Sequence, residues 1–198
     1  DETREFDLET RTFVTPEDGG FYRAEAKGGM SWIDGDTVFV ATAGSDIASG
    51  VKSHHENAAG RPYTRGDLPE HVAQALDAWR EGDFEPLMEV PVRITGTPRL
   101  MQMRSALRSV PAGAVITYTD LAERAGLPGL SRLAGRACSE NPCLLFVPCH
   151  RVVAASNVGP PVIAGSYAGT GEVKQLLLEH VGVAVRSGPA PRDDAAGF

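Results

Sequence analysis

Thr117–Pro142 reads TYTDLAERAGLPGLSRLAGRACSENP, and its punctuation decides how the second half of this 198-residue chain folds. Thr117 or Thr119 can cap a short helix running through Ala125, GLPG makes a tight turn, and Ser131 can cap a second helix to about Glu140. Two short helices joined by a glycine-containing turn outline a helix-turn-helix. Alone, that outline says little about function, because most helix pairs in globular proteins bind nothing. Upstream, Met103, Leu107 and Val110 recur at helical spacing until Pro111, Ala112 and Gly113 break the run.

Further toward the N-terminus the pattern changes. GMSWIDGDTVFVATAGSD alternates apolar and polar positions between turn signals, with Trp32, Val38 and Val40 in strand-like runs, which predicts a small antiparallel sheet. LPEHVAQALDAWRE then places Val72, Leu76 and Trp79 at helical spacing behind Pro69, one amphipathic helix. FEPLMEVPVRITGTP is rich in proline and turn residues and reads as a linker. The expected architecture is α+β: an antiparallel-sheet domain over residues 1–88, an all-α domain with the helix-turn-helix over 92–185, and a mobile tail over 186–198.

At 42% hydrophobic and 23% charged, the chain can build one sizeable core or two small ones. No apolar run is long enough to cross a membrane and DETREFDLET does not read as a signal peptide, so a cytoplasmic monomer is expected. A net charge of −7 argues at first against nucleic acid. From Val92 to Val185, however, nine basic residues face five acidic ones, so this half carries +4 and the remainder −11. That asymmetry suggests a basic functional half beside an acidic, solubilising one. Cys138, Cys143 and Cys149 are an odd number crowded into twelve residues without a CxxC pair, so neither a disulfide framework nor a zinc site is expected.

The chemistry concentrates in LLFVPCHRVV, Leu144–Val153. A cysteine becomes a nucleophile where a cation, a histidine or a helix N-terminus favours its thiolate, and His150 and Arg151 follow Cys149 directly. Neighbours in sequence need not face each other, so a small buried hydrophobe remains the alternative reading of Cys149.

Asn141–Val153, NPCLLFVPCHRVV, resembles almost residue for residue the active-site signature of the O6-alkylguanine-DNA alkyltransferases. The likeness extends to Gly96-Thr97-Pro98, to PAGAVITY ending at Tyr118, to LPGLSRLAGRACSENP, and to GSYAGTGEVKQLLLEHVG after the cysteine. It covers about Asp83 to Val183; over the N-terminal half it is only architectural.

The resemblance implies DNA repair by irreversible, single-turnover transfer of an alkyl group from O6-alkylguanine in duplex DNA to Cys149, after the base is flipped out of the stack. It implies no cofactor and no metal. His150 would take the thiol proton through a water, and Asn141 would hold the turn that presents Cys149. Tyr118 would lend its hydroxyl to the base, and the carbonyls of Cys149 and Val152 would accept from the guanine amino group. Gly165, Tyr167, Ala168 and Gly169 would form the pocket wall, with Lys174 on the helix behind it. Arg132 would enter the stack in place of the flipped base, as a planar cation can. Arg136, one turn on, would touch phosphate with Ser131 and Arg151, while Ala134, Gly135 and Ala137 would let the helix lie close to the minor groove.

Three departures stand against the family pattern. The family ends its last helix LLxHEG, with a glutamate that orients the histidine; here LLEHVG puts Val181 there, and Glu179 lies roughly 200° around the helix. Slower transfer, a different carboxylate or lost activity follows. Arg99 and Arg104 replace an aromatic and a tryptophan, and the loop over residues 154–166 is longer and carries Pro160 and Pro161. Zinc ligands that some relatives place in the first half have no cysteine here, so His54, His55 and His71 read as surface residues. A non-enzymatic sensor that binds O6-alkylguanine and recruits other repair factors is the first rival, and a cysteine enzyme for a small molecule the second.

Overall fold

The computed structural model describes residues 2–7, 12–14, 27–33, 37–43, 69–165 and 171–186. It divides into two units, Asp1–Arg93 with Pro142–Phe146, and Ile94–Asn141 with Val147–Phe198. Tyr167, Ala168 and Gly169 of the expected pocket wall, His54 and His55, and the tail from residue 187 lie outside the described residues.

In the first unit β1 (Glu2–Asp7), β2 (Thr12–Val14), β3 (Lys27–Ile33) and β4 (Thr37–Ala43) form an antiparallel sheet in the order β2-β1-β3-β4. Arg4 lies opposite Met30 and Met30 opposite Ala41, and the register shifts between Ser31 and Trp32. Helix α1 (Glu70–Arg80) buries Val72, Ala75, Leu76 and Trp79, a stripe at i, i+3, i+4 and i+7, and starts directly after Pro69. The expected linker is a correction. It contains helix α2 (Glu85–Glu89), with Pro86 in its first turn, and then returns to the sheet. The Val38 amide donates to the Pro91 carbonyl at 2.9 Å, and the Arg93 amide to the Val38 carbonyl at 3.0 Å. Leu87 and Val90, three residues apart and both buried, hold the stretch down where its prolines suggested a loop.

The second unit opens with α3 (Pro98–Leu107), whose first turn is capped by the Thr97 side chain accepting from the Leu100 amide at 3.3 Å. Thr117, not Thr119, caps α4 (Tyr118–Arg124). The Asp120 amide donates to Thr117 Oγ1 at 3.0 Å and the Thr117 amide to Asp120 Oδ2 at 2.9 Å, a reciprocal capping box. The other end of α4 closes on Gly126 at φ +73, with the Leu127 amide reaching Ala122 and the Gly126 amide reaching Glu123, which satisfies two carbonyls the helix leaves open. Helix α5 (Ser131–Ser139) follows, and α3, α4 and α5 pack on one another. Ser131 is the first helical residue rather than the cap; Leu130 holds the cap position without a side-chain bond.

This unit is also not all-helical. Strand β5 (Ile116–Thr117) pairs in parallel with β6 (Val152–Val153), and β7 (Val162–Ile163) pairs in parallel with β8 (Val185–Arg186). Strands of two residues are too short for alternation to register in a sequence pattern. The pairing gives the long loop a core, in which Val153, Val162, Ala164 and Leu178 are buried, and takes Arg186 out of the expected tail. No described helix is long and apolar enough to cross a membrane.

Candidate active site around Cys149

Helix α5 ends at Ser139, the chain turns with the Asn141 amide donating to the Cys138 carbonyl at 3.2 Å, and the buried Asn141 side chain then reaches forward. Its Nδ2 donates to the Val147 carbonyl at 2.9 Å and to Cys149 Sγ at 3.2 Å. Cys149–Arg151 form one 3-10 turn leading into β6, where Ile116 stands opposite Val152 and Thr117 opposite Val153. That pairing carries Tyr118, at the first position of α4, toward the cysteine turn. Helix α6 (Gly171–His180) packs on the same turn and sends Lys174 Nζ to the Val152 carbonyl at 2.7 Å. Cys149, His150, Arg151 and Lys174 are each less than 5% exposed.

Burial raises the Cys149 thiol above its ordinary value; the Asn141 hydrogen bond works most strongly against this, followed by the Lys174 charge, a backbone hydrogen bond and the Arg104 charge. His150 is driven well below its ordinary 6.5 by burial first and then by the Arg151 and Lys174 charges. Glu179 is exposed and accepts from Gln175 Nε2 at 2.8 Å, while half-buried Val181 takes the turn after α6. Burial, then the charges of Cys138 and Cys149, raise the Tyr118 phenol, so it stays a neutral donor. The resting site thus pairs a neutral thiol with a neutral imidazole, beside cations that favour the thiolate once it forms.

A pH dependence of stability follows from His150. Its folded pKa is depressed, so its contribution is present above the unfolded value near 6.5 and is lost as pH falls, because the unfolded chain takes up a proton that the folded chain refuses. Between pH 6.5 and 5 the unfolding free energy is expected to drop by up to about 1.4 kcal/mol per pH unit from this group alone. Urea titrations of His150→Gln should give a flatter profile over that interval; an unchanged slope would remove His150 as the source.

The structure brings Cys149, His150, Asn141, Val152, Lys174 and Tyr118 together, and Gly165 follows directly on the β7 core at φ +72. It separates the expected DNA-facing residues. Arg132 and Arg136 are exposed on α5, and with Thr97, Arg99, Leu130 and Leu133 they line an open groove of about 680 Å³. Arg136 Nε also pairs with Glu140 at 2.9 Å. Arg151, by contrast, is 2% exposed and donates Nη1 to the Val110 carbonyl at 2.5 Å, so it braces the core instead of meeting phosphate. Ala134, Gly135 and Ala137 are on the buried side of α5, where small residues let helices approach, and not on its outer face. Sequence reasoning missed the buried contacts of Arg104 and Lys174. The signal was present for Arg104, a charge on the stripe made by Leu100, Met103 and Leu107.

A family model described as 6-O-methylguanine DNA methyltransferase, DNA binding domain, matches residues 100–183. A methylated-DNA--protein-cysteine methyltransferase of Shigella flexneri is 33% identical over 114 residues, covering 58% of this chain and 64% of that protein. One of Saccharolobus islandicus is 34% identical over 110 residues, covering 56% and 67%. The chain therefore matches about two thirds of the length of these relatives. The crystal structure of Mycobacterium tuberculosis OGT in complex with DNA superposes with a TM-score of 0.59 at 23% identity, over 79% of this chain and 87% of that one, a likeness of fold.

Proposed function

This chain belongs to the methylated-DNA--protein-cysteine methyltransferase family, and from that premise we propose that it repairs DNA by taking the alkyl group of an O6-alkylguanine onto Cys149, once per molecule. The observation that carries the reading is the hydrogen bond from Asn141 to Cys149 Sγ, which aims a buried thiol from the end of the helix that holds Arg132 and Arg136. In the reaction the sulfur attacks the alkyl carbon, a carbon–sulfur bond forms and the carbon–O6 bond breaks. The thiol proton leaves by way of the neutral His150, and the departing guanine gains one, for which Tyr118 is the neighbouring donor. A thioether has no low-energy way back to thiol, so turnover ends there.

The carbonyl of Val152 already accepts from Lys174 and keeps a second lone pair for a guanine amino group. Helices α4 and α5 serve as the helix-turn-helix, with α5 toward the duplex and Arg132 as the side chain that fills the stack. Arg99 adds a third cation to that groove. Duplex DNA carrying O6-alkylguanine is the expected partner, bound by a cytoplasmic monomer.

Intact-mass measurement after incubation with O6-benzylguanine, and separately with duplex containing O6-methylguanine, tests this. One alkyl group per chain, mapped to Cys149, is the expected result. No mass gain on either substrate, together with tight binding of the lesion duplex, would replace the enzyme by a lesion sensor.

A further inference from the structure

Arg104 sits on α3 where Leu100, Met103 and Leu107 make the inner stripe, and it is 4% exposed. Its guanidinium is engaged entirely with backbone: Nε donates to the Ala137 carbonyl at 3.2 Å, Nη2 to the Glu140 carbonyl at 3.0 Å and Nη1 to the Thr95 carbonyl at 2.7 Å. Ala137 and Glu140 are at the end of α5, where the last carbonyls have no partner within the helix and the helix dipole favours a cation. One residue beyond Glu140 is Asn141, whose side chain holds Val147 and the sulfur of Cys149.

We infer that Arg104 is a positioning residue for Cys149: by tying the chain at Thr95 and the end of α5 to α3, it fixes the corner at Glu140 and Asn141 from which the Asn141 amide meets Sγ. The planar fork of arginine reaches three acceptors that diverge, which a lysine cannot do. Gly96 keeps the space for it, because a Cβ there would lie 2.8 Å from Arg104 Nη1, and its φ of +116 suits glycine. The charge of Arg104 also helps lower the Cys149 thiol against the effect of burial, and an arginine retains that charge at any ordinary pH. A fixed cation and a fixed amide thus support the thiolate that forms as His150 takes the proton.

The inference rests on Cys149 being the alkyl acceptor, so its test uses two reagents. Cys149 in the full chain, in Arg104→Met and in Arg104→Lys is labelled with iodoacetamide across a range of pH, and separately with O6-benzylguanine, with peptide mapping of the product and circular dichroism to establish folding. Arg104→Met is expected to react about tenfold more slowly with both, because a misplaced reacting group loses alignment. Its pH profile should move to higher pH, and Arg104→Lys should fall between it and the parent. A folded Arg104→Met with the parent rate and pH profile would overturn the inference. Where Arg104→Met does not fold, Arg104→Lys decides by the same profile, an unchanged one being the overturning result. A parent chain that takes iodoacetamide but no benzyl group from O6-benzylguanine ends the acceptor reading, and the iodoacetamide profiles still decide the role of Arg104.

Discussion

Asn141→Ala is expected to slow alkyl transfer from O6-benzylguanine to Cys149 about a hundredfold, with the protein still folded. The side chain does two things at once. Its bond to the Val147 carbonyl at 2.9 Å sets the path of the chain into the cysteine turn, and its bond to Sγ at 3.2 Å is the strongest single influence holding the thiol down against burial. A hydrogen bond to a charged group contributes about 1.5–3 kcal/mol, a tenfold to hundredfold effect on a thiolate reaction, and the loosened turn adds misalignment to it. Single-turnover kinetics over pH separate the two parts. Loss of the Sγ bond moves the rising limb to higher pH, while misalignment lowers the plateau. A variant with the parent rate at every pH would show that the Asn141 contact is incidental to the chemistry.

The sequence showed these positions unevenly, and the reasons are local. Helix α1 and the start of α4 were legible because their causes lie within a few residues: the stripe of Val72, Leu76 and Trp79, and a threonine cap that the sequence left between Thr117 and Thr119 until Asp120 selected Thr117. Cys149 and His150 were legible as a motif, but their burial was not. A PCHR run does not say that Arg151 will turn inward to Val110, forty-one residues away in sequence. Ser131 looked like a cap, yet the Ala134 amide bonds back to the Leu130 carbonyl at 3.0 Å and starts the helix one position earlier. The linker over residues 84–98 failed for a related reason. Its prolines are compatible with a one-turn helix and a parallel bridge, and only the distant partner Val38 selects them. Arg104 is the plainest case. Its place on an apolar stripe was a visible anomaly, but its acceptors lie on Thr95, Ala137 and Glu140, and no spacing rule names carbonyls.

Arg132→Ala is expected to reduce transfer from duplex carrying O6-methylguanine about a hundredfold while the reaction with free O6-benzylguanine changes by no more than about twofold. Extruding a base costs a few kcal/mol of stacking and pairing, and a side chain left in the gap recovers part of it only when the substrate is a duplex. Arg132 fits that task because it is exposed near the start of α5, on the rim of the groove it shares with Arg99 and Arg136, and none of its atoms is needed to hold Cys149. Arg136→Ala provides the contrast. A phosphate contact should weaken binding to damaged and undamaged duplex alike and lower the salt slope by about one unit, and its existing pair with Glu140 makes that loss the smaller one. The ratio of duplex to free-base rates is therefore the quantity to measure. A ratio that stays constant in Arg132→Ala would take this residue out of base flipping, and equal falls with both substrates would mean that the substitution had disturbed Cys149 through α5.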